Sequence, residues 1–400
     1  MDAASQHRLP AEPATGAPLA APTSAEARSD PGGFSHVLPL DGIRGFAVML
    51  TVANHLLLTN THPSVFITIL TSVRISTWLG VDLFLALSGF LITGILFDSL
   101  HSRHYLRNFY GRRALRILPL YYLALVALGL LSFPLHMHWN GFGWVLATFL
   151  QNTPLWFNRA VPYPLEPLTG HLWTIALEEQ FYLFWPMLVV LVRDRRRLMT
   201  VALALSVVAL GLRIAIVAHG GSAQYTYKML PCRMDGLLLG AWLALAFRGP
   251  LRARLIKWSS FLFFPLGAIL FVEACHEHGL DWRTSAFVNS IGYTLSALAS
   301  AALIAMTFHL GGLARRIFIH PCLRWLGRYS YGIYVWHLIF AGFVIAPTRH
   351  LVARITPGKG IQMLAGALTG TAASLLLGYI SYHAYEVHFL RLKRFFAYRG

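Results

Sequence analysis

Apolar runs, each about 17–25 residues long and so able to cross a hydrocarbon layer of about 30 Å, alternate along the chain with short polar connections rich in arginine. The runs predict spans at roughly 39–59, 78–98, 118–133, 173–192, 199–218, 231–248, 259–275, 285–308, 325–346 and 362–386. A further apolar stretch, 141–151 ("GFGWVLATFLQ"), is too short to cross and reads as re-entrant or interfacial. The pattern therefore predicts an all-α fold, a polytopic transmembrane helical bundle of about ten spans. Residues 1–36, rich in Ala, Pro, Ser and Thr, contain no apolar run that would serve as a signal-peptide core and read as a disordered tail. Residues 37–390 form the membrane domain, and 391–400 read as a short basic tail.

Composition agrees with this reading. Of 400 residues, 56% are apolar and 12% charged, about half the charged fraction usual in a soluble domain. A net charge of +17 suggests a nucleic-acid partner until its placement is considered. The basic residues cluster in short loops between the apolar runs, the positive-inside pattern of a membrane protein, so no nucleic-acid partner is expected. With the N-terminus inside and 141–151 not crossing, the inner connections and tails carry twenty-three Lys and Arg residues and the outer loops seven. A full crossing at 141–151 would move every later loop to the other side and erase that bias, so both termini are expected to be cytoplasmic. Cys232, Cys275 and Cys322 show neither metal spacing nor a paired framework, and no metal is expected.

Charged and imidazole side chains inside spans are costly and point to function or to pairing between helices. The first span carries Asp41 and Arg44 near its inner end and His55 toward its outer end. Arg44 and His55 are eleven residues apart, three turns, so they share a face about 16 Å apart. Asp82 on the second span, Glu178 and Glu179 on the fourth, Arg233 and Asp235 on the sixth and His337 on the ninth fall at a similar depth to His55. Together they predict a buried polar site in the outer half of the bundle. Each residue also has a plain structural reading. Asp41 and Arg44 suit an i,i+3 ion pair, Asp82 a helix start, Glu179 and Arg233 a wet interface, and His337 a hydrogen bond to a neighbouring helix. On the inner side, Arg112, Arg113 and Arg116 in "HSRHYLRNFYGRRALRILP" have the spacing that suits phosphate, or that anchors a loop on anionic lipid. Pro119 suits the first turn of the third span.

Five strings in this order, "LDGIRGFAVMLTVANH", "GVDLFLALSGFLIT", "RRALRILPLYY", "LWTIALEEQFYLFWP" and "GRYSYGIYVWH", cover about residues 36–395. The chain resembles the membrane acyltransferase family 3, the O-acetyltransferase-type polytopic proteins of bacterial envelopes. Thr174 and Ile175 stand where that family usually has Ser and Leu, and Asn54 precedes the histidine where an aromatic is frequent. The resemblance implies transfer of an acyl group, usually acetyl, from acyl-CoA at the cytoplasmic side to a hydroxyl of a saccharide or glycolipid acceptor, by a multi-pass protein of the inner membrane. It makes His55 the catalytic histidine, Arg44 its paired arginine, Arg113 and Arg116 the donor-binding motif and Glu178 the buried carboxylate. Many relatives carry a further periplasmic domain that these residues do not include.

Catalysis is then expected from His55 as general base on the acceptor hydroxyl, oriented by Glu178 or Asp82. Arg44, Arg113 and Arg116 would hold the donor, and Asp41, Arg112, Tyr334, His337 and Asp235 are further candidates. The Arg44–His55 offset is comparable with the length of the pantetheine arm of coenzyme A. Two other classes compete: a proton-coupled transporter or flippase of an envelope lipid or glycan, and an acyl-CoA-binding scaffold without turnover. The absence of an obvious internal repeat and the phosphate-type arginine cluster favour the enzyme.

Overall fold

A computed structural model describes residues 37–56, 76–158 and 165–398. The expected tail at 1–36 and the loop residues Arg74, Arg159 and Arg399 lie outside them. The described residues are helical, with no strand among them. Ten long helices correspond to the ten apolar runs: α1 (Leu38–Leu56), α2 (Leu79–Asp98), α3 (Tyr105–Leu131), α4 (Trp173–Val192), α5 (Arg195–Ala218), α6 (Leu230–Ala246), α7 (Leu251–His276), α8 (Tyr293–Met306), α9 (Pro321–Ala353) and α10 (Lys359–Ser381). Among the described residues nine helical segments are long and apolar enough to cross a membrane. The tenth long helix, α1, is 19 residues and carries Asp41 and His55 in its first and last turns. The protein is a multi-pass helical bundle.

α3 and α9 run past the apolar stretches that predict them, as α7 does at its first turns. α3 begins at Tyr105, so the basic stretch before the span is itself helical and Pro119 lies inside the helix, not in its first turn. Arg112, Arg113 and Arg116 turn to one side, into a cavity described below, and a charged stretch that faces protein has no reason to unwind at the edge of the apolar run. α9 runs on to Ala353 past Pro347. The stretch 141–151 holds a six-residue helix, Phe142–Ala147, too short to cross. It lies along α3, where the Tyr121 and Tyr122 hydroxyls donate to the Leu146 and Ala147 carbonyls.

Burial separates inner from outer helices. α6 buries nearly its whole length, whereas α7 buries only Ser259, Leu266 and Leu270 and turns Phe261, Phe264 and Phe271 outward. Such a face suits lipid, which is as apolar as the side chains that meet it. Contacts join α1 to α9, α9 to α10, and α2 to α6 and α8.

The crossing of α1 with α9 and the turn before it is unusually close. A Cβ added at Gly45 would lie 1.9 Å from the Leu323 carbonyl oxygen, and one at Gly327 would lie 1.8 Å from the Asp41 carbonyl oxygen. Small residues that let backbones touch are the recurrent device of helix packing in lipid. Here they account for Gly45 of the "LDGIRG" string.

A buried ionic cluster ties α2, α5, α6 and α8. Arg233 of α6 pairs with Asp82 of α2, and the two side chains are 1% and 2% exposed. Arg213 of α5 pairs with Asp235 at 2.8 Å, and the Thr294 hydroxyl donates to the same carboxylate at 2.7 Å. The Arg233 guanidinium lies 3.9 Å from the centroid of the Tyr293 ring. Removing one member of such a pair leaves an uncompensated charge in a dry site. Asp82→Ala is therefore expected to cost about 3–5 kcal/mol, and Asp82→Leu combined with Arg233→Met to recover most of it. Thermal melting of the solubilised protein reads both, and equal losses in the single and double variants would refute the pairing.

Candidate active site

A cavity of about 730 Å³ lies between α1, α2, α3, α4 and α9, and its walls change character along its length. At one end α1 supplies Arg44, α3 supplies Arg112, Arg113 and Arg116, and α9 supplies Arg324 and Arg328. A seventh cation, Lys393, comes from the chain after α10. Helical spacing explains the convergence: residues three and four apart share a face, which groups the α3 arginines and, separately, those of α9. Several guanidinium groups lie over aromatic rings, Arg113 at 5.7 Å from Tyr182, Arg116 at 5.9 Å from Tyr331 and Arg328 at 5.2 Å from Tyr382. Such stacking limits their side-chain freedom without neutralising them.

Among the described residues two carboxylates line the cavity, Asp41 and Glu178. Asp41 pairs with Arg44 at 3.1 Å. Glu178 accepts a hydrogen bond from the Tyr182 hydroxyl at 3.0 Å, and Ser88 lies against that hydroxyl. The positive end of the cavity thus has the charge that suits a polyanion, with planar donors of the kind that suit phosphate.

The other end closes on Thr174 of α4 and Tyr334 of α9. Arg324 and Tyr334 are ten residues, about 15 Å, apart along α9. The Tyr334 hydroxyl donates to the His171 carbonyl and meets the Thr174 hydroxyl at 2.5 Å. Behind Tyr334, outside the cavity wall, stand three histidines. The ring of His337 lies 5.0 Å from that of His55 and 4.7 Å from that of His171. His337 is fully buried, whereas His55, at the end of α1, is exposed.

Hydrogen bonds assign the proton positions of the neutral rings. His337 Nδ1 lies 2.6 Å from the Tyr334 carbonyl oxygen, which requires a proton on that nitrogen and leaves Nε2 as an acceptor. His55 Nδ1 lies 2.9 Å from the Thr51 carbonyl oxygen and 3.2 Å from His337 Nε2. Its N–H donates to both, which puts the lone pair of His55 on Nε2. His171 Nε2 donates to the Val335 carbonyl at 3.1 Å. Among the described residues no group of three or more His, Cys, Asp or Glu side chains is arranged to hold a metal ion.

The fold brings together Arg44, Arg112, Arg113, Arg116 and Asp41 at one end of the cavity and sets His337 against His55, with Tyr334 between the two regions. It divides the expected group of carboxylates around His55. Glu178 lies with the arginines, and Asp82 and Asp235 belong to the ionic cluster and do not line the cavity. Their charges are met by Arg233 and Arg213, partners a depth estimate cannot assign. Among the described residues, the side chain that meets His55 Nδ1 is the imidazole of His337. His171, Arg324, Arg328 and Lys393 were not anticipated. Arg324 and Arg328 have helical i,i+4 spacing but count only among the inner basic residues of the positive-inside pattern, and Lys393 falls in the supposed tail.

Comparison with known proteins accords with this arrangement. The acyltransferase domain family matches residues 38–383. The chain is 28% identical over 328 residues to the peptidoglycan O-acetyltransferase OatA of Listeria monocytogenes, covering 76% of this chain and 49% of that protein. It is 29% identical over 319 residues to YrhL of Bacillus subtilis, provisionally named for the same activity, covering 74% of this chain and 47% of that protein. It thus spans about half the length of the curated relatives it matches. No solved structure matches. With five motifs in order and a match over most of its length, the chain belongs to the acyltransferase domain family, acyltransferase family 3.

Proposed function

We propose that the protein is an integral membrane O-acyltransferase that moves an acyl group, acetyl in the first instance, from acyl-CoA to a hydroxyl of an envelope saccharide. The observation that carries this reading is a single cavity with seven cations at one end and a base-bearing histidine group just beyond the other. Coenzyme A has the matching polarity, with phosphates at one end and a thioester at the other. Arg112, Arg113 and Arg116 would take the phosphates, and the acyl end would lie toward Thr174 and Tyr334. The basic excess on one side of the bundle supports a cytoplasmic donor end, cytoplasmic termini and residence in the inner membrane. The names of the relatives favour a cell-wall saccharide as acceptor.

In the proposed reaction the acceptor oxygen attacks the thioester carbonyl while His55 Nε2 takes its proton. The new C–O bond forms, the C–S bond breaks, and the departing thiolate receives the proton from His55. His337 acts as a positioning residue: its Nε2 accepts from His55 Nδ1–H, fixes the ring and stabilises the imidazolium that forms during transfer, the role a carboxylate has in other triads. Tyr334 holds His337 in that tautomer through its backbone carbonyl.

His55→Ala is expected to lower transfer by a factor of about 10²–10⁴ while CoA binding persists, read by labelled acetyl transfer to saccharide and by CoA titration of the same preparation. Direct attack also predicts no label on the protein when acyl-CoA is supplied without acceptor; stable label on His55 would overturn it. Arg113→Ala should raise the donor KM by about tenfold or more, with kcat changed less, and an unchanged KM would remove Arg113 from the donor site. His337→Ala should lower kcat at unchanged donor KM. His337→Gln, whose side-chain oxygen can replace the Nε2 acceptor, should regain part of the loss; equal losses in the two variants would refute positioning through that hydrogen bond.

A further inference from the structure

The chain beyond α10 folds back along the first turns of α3. After the turn Tyr382–Glu386 it continues as a short helix, Val387–Arg391, and a 3₁₀ turn, Leu392–Phe396. Four contacts hold it there. The buried Asn108 side chain donates from Nδ2 to the Ala397 carbonyl at 3.0 Å. The Phe396 ring sits on Gly111, where an added Cβ would lie 2.3 Å from the ring carbons. Arg107 and Arg112 stack on Phe396 and Tyr398 at 5.8 and 5.7 Å. The glycine before the arginine pair of α3 is therefore required by the returning chain.

This return places Lys393 in the cavity wall, half-buried, among Arg44, Arg112, Arg113 and Arg116. Among the described residues Lys393 has neither an ion-pair nor a hydrogen-bond partner. Its neighbour in the turn, Arg394, is exposed and does not line the cavity. An ammonium held among guanidinium groups away from bulk water is repelled until an anion arrives.

We propose that Lys393 and Tyr398, carried by the returning chain, form a wall of the donor site, in which Lys393 binds a phosphate of the nucleotide coenzyme and Phe396 is the anchor that holds Lys393 in place. The inference rests on the donor reading above. It adds that the segment read as a tail belongs to the site, and that donor binding and docking of this segment favour one another. An anion relieves the repulsion that otherwise works against docking, and a docked segment supplies one more charge to the anion.

The test is titration of the full-length protein in detergent with coenzyme A, followed by calorimetry, for wild type and three variants. Lys393→Gln and Phe396→Ala should each weaken coenzyme A by about tenfold or more, the effect of losing one charge-assisted contact. Arg394→Gln, which removes the same formal charge one residue away, should leave affinity unchanged. Coenzyme A should also slow tryptic cleavage at Arg391 and Arg394 in wild type and not in Phe396→Ala. If wild type binds coenzyme A and both Lys393→Gln and Phe396→Ala bind it equally well, the wall is refuted and the donor reading stands. If Arg394→Gln weakens binding as much as Lys393→Gln, the effect is that of net charge and the specific role of Lys393 is refuted. If folded wild-type protein binds no coenzyme A, the donor reading falls and this inference with it.

Discussion

The rest of the arrangement depends on the backbone contact between α1 and α9. Gly45 and Gly327 let the two helices meet with no side chain between them. The contacts Gly45–Leu323 and His55–His337 show that the helices run in the same direction, so one crossing aligns both at two levels. At one level Arg44 faces the cavity with Arg324 and Arg328; further along, His55 meets His337. A side chain larger than hydrogen at either glycine would push the helices apart, and the arginine group and the histidine group would separate together. Packing in lipid relies on such contacts because apolar side chains gain little there by leaving their surroundings.

The low polarity of the bundle interior governs the charges in a second way. Each buried ion must find a partner within the protein. In the α2, α5, α6 and α8 cluster the partners are opposite charges, and the result is structure. In the cavity the positive side chains outnumber the carboxylates by seven to two. One region of the same bundle is thus balanced by its own residues, while the other keeps an excess of positive charge, which the proposed donor would meet. That difference separates a structural charge from a site more clearly than depth in the membrane does.

Much of this is legible in the sequence because it depends on local spacing. Apolar run lengths place the ten helices, loop arginines set a directional bias, and the eleven-residue interval between Arg44 and His55 puts them on one face. What is not legible is the choice of partner across helices. Asp82 and Arg233 are 151 residues apart in the chain, and His55 and His337 are 282 apart. Depth alone placed Asp82, Glu178 and His55 together, and nothing in the sequence says which faces turn toward each other. The start of α3 and the fate of the C-terminal segment were missed for a related reason. Charged residues looked like solvent-facing connections, although here they face a cavity within the protein.

Tyr334 has one more consequence. The cavity ends at its ring, with the three histidines beyond and His55 open at the far side. A bore of this volume carried on past Tyr334 to the exposed end of α1 would be a cation-lined conduit, and small anions would run down their gradient through it. The hydroxyl contacts of Tyr334 to the His171 carbonyl and the Thr174 hydroxyl stand across that route, and the proposed transfer needs Tyr334 to swing aside for the thioester to reach His55. The residue that separates the two halves of the site would therefore have to close again after each transfer, so that the donor arm passes and free ions do not.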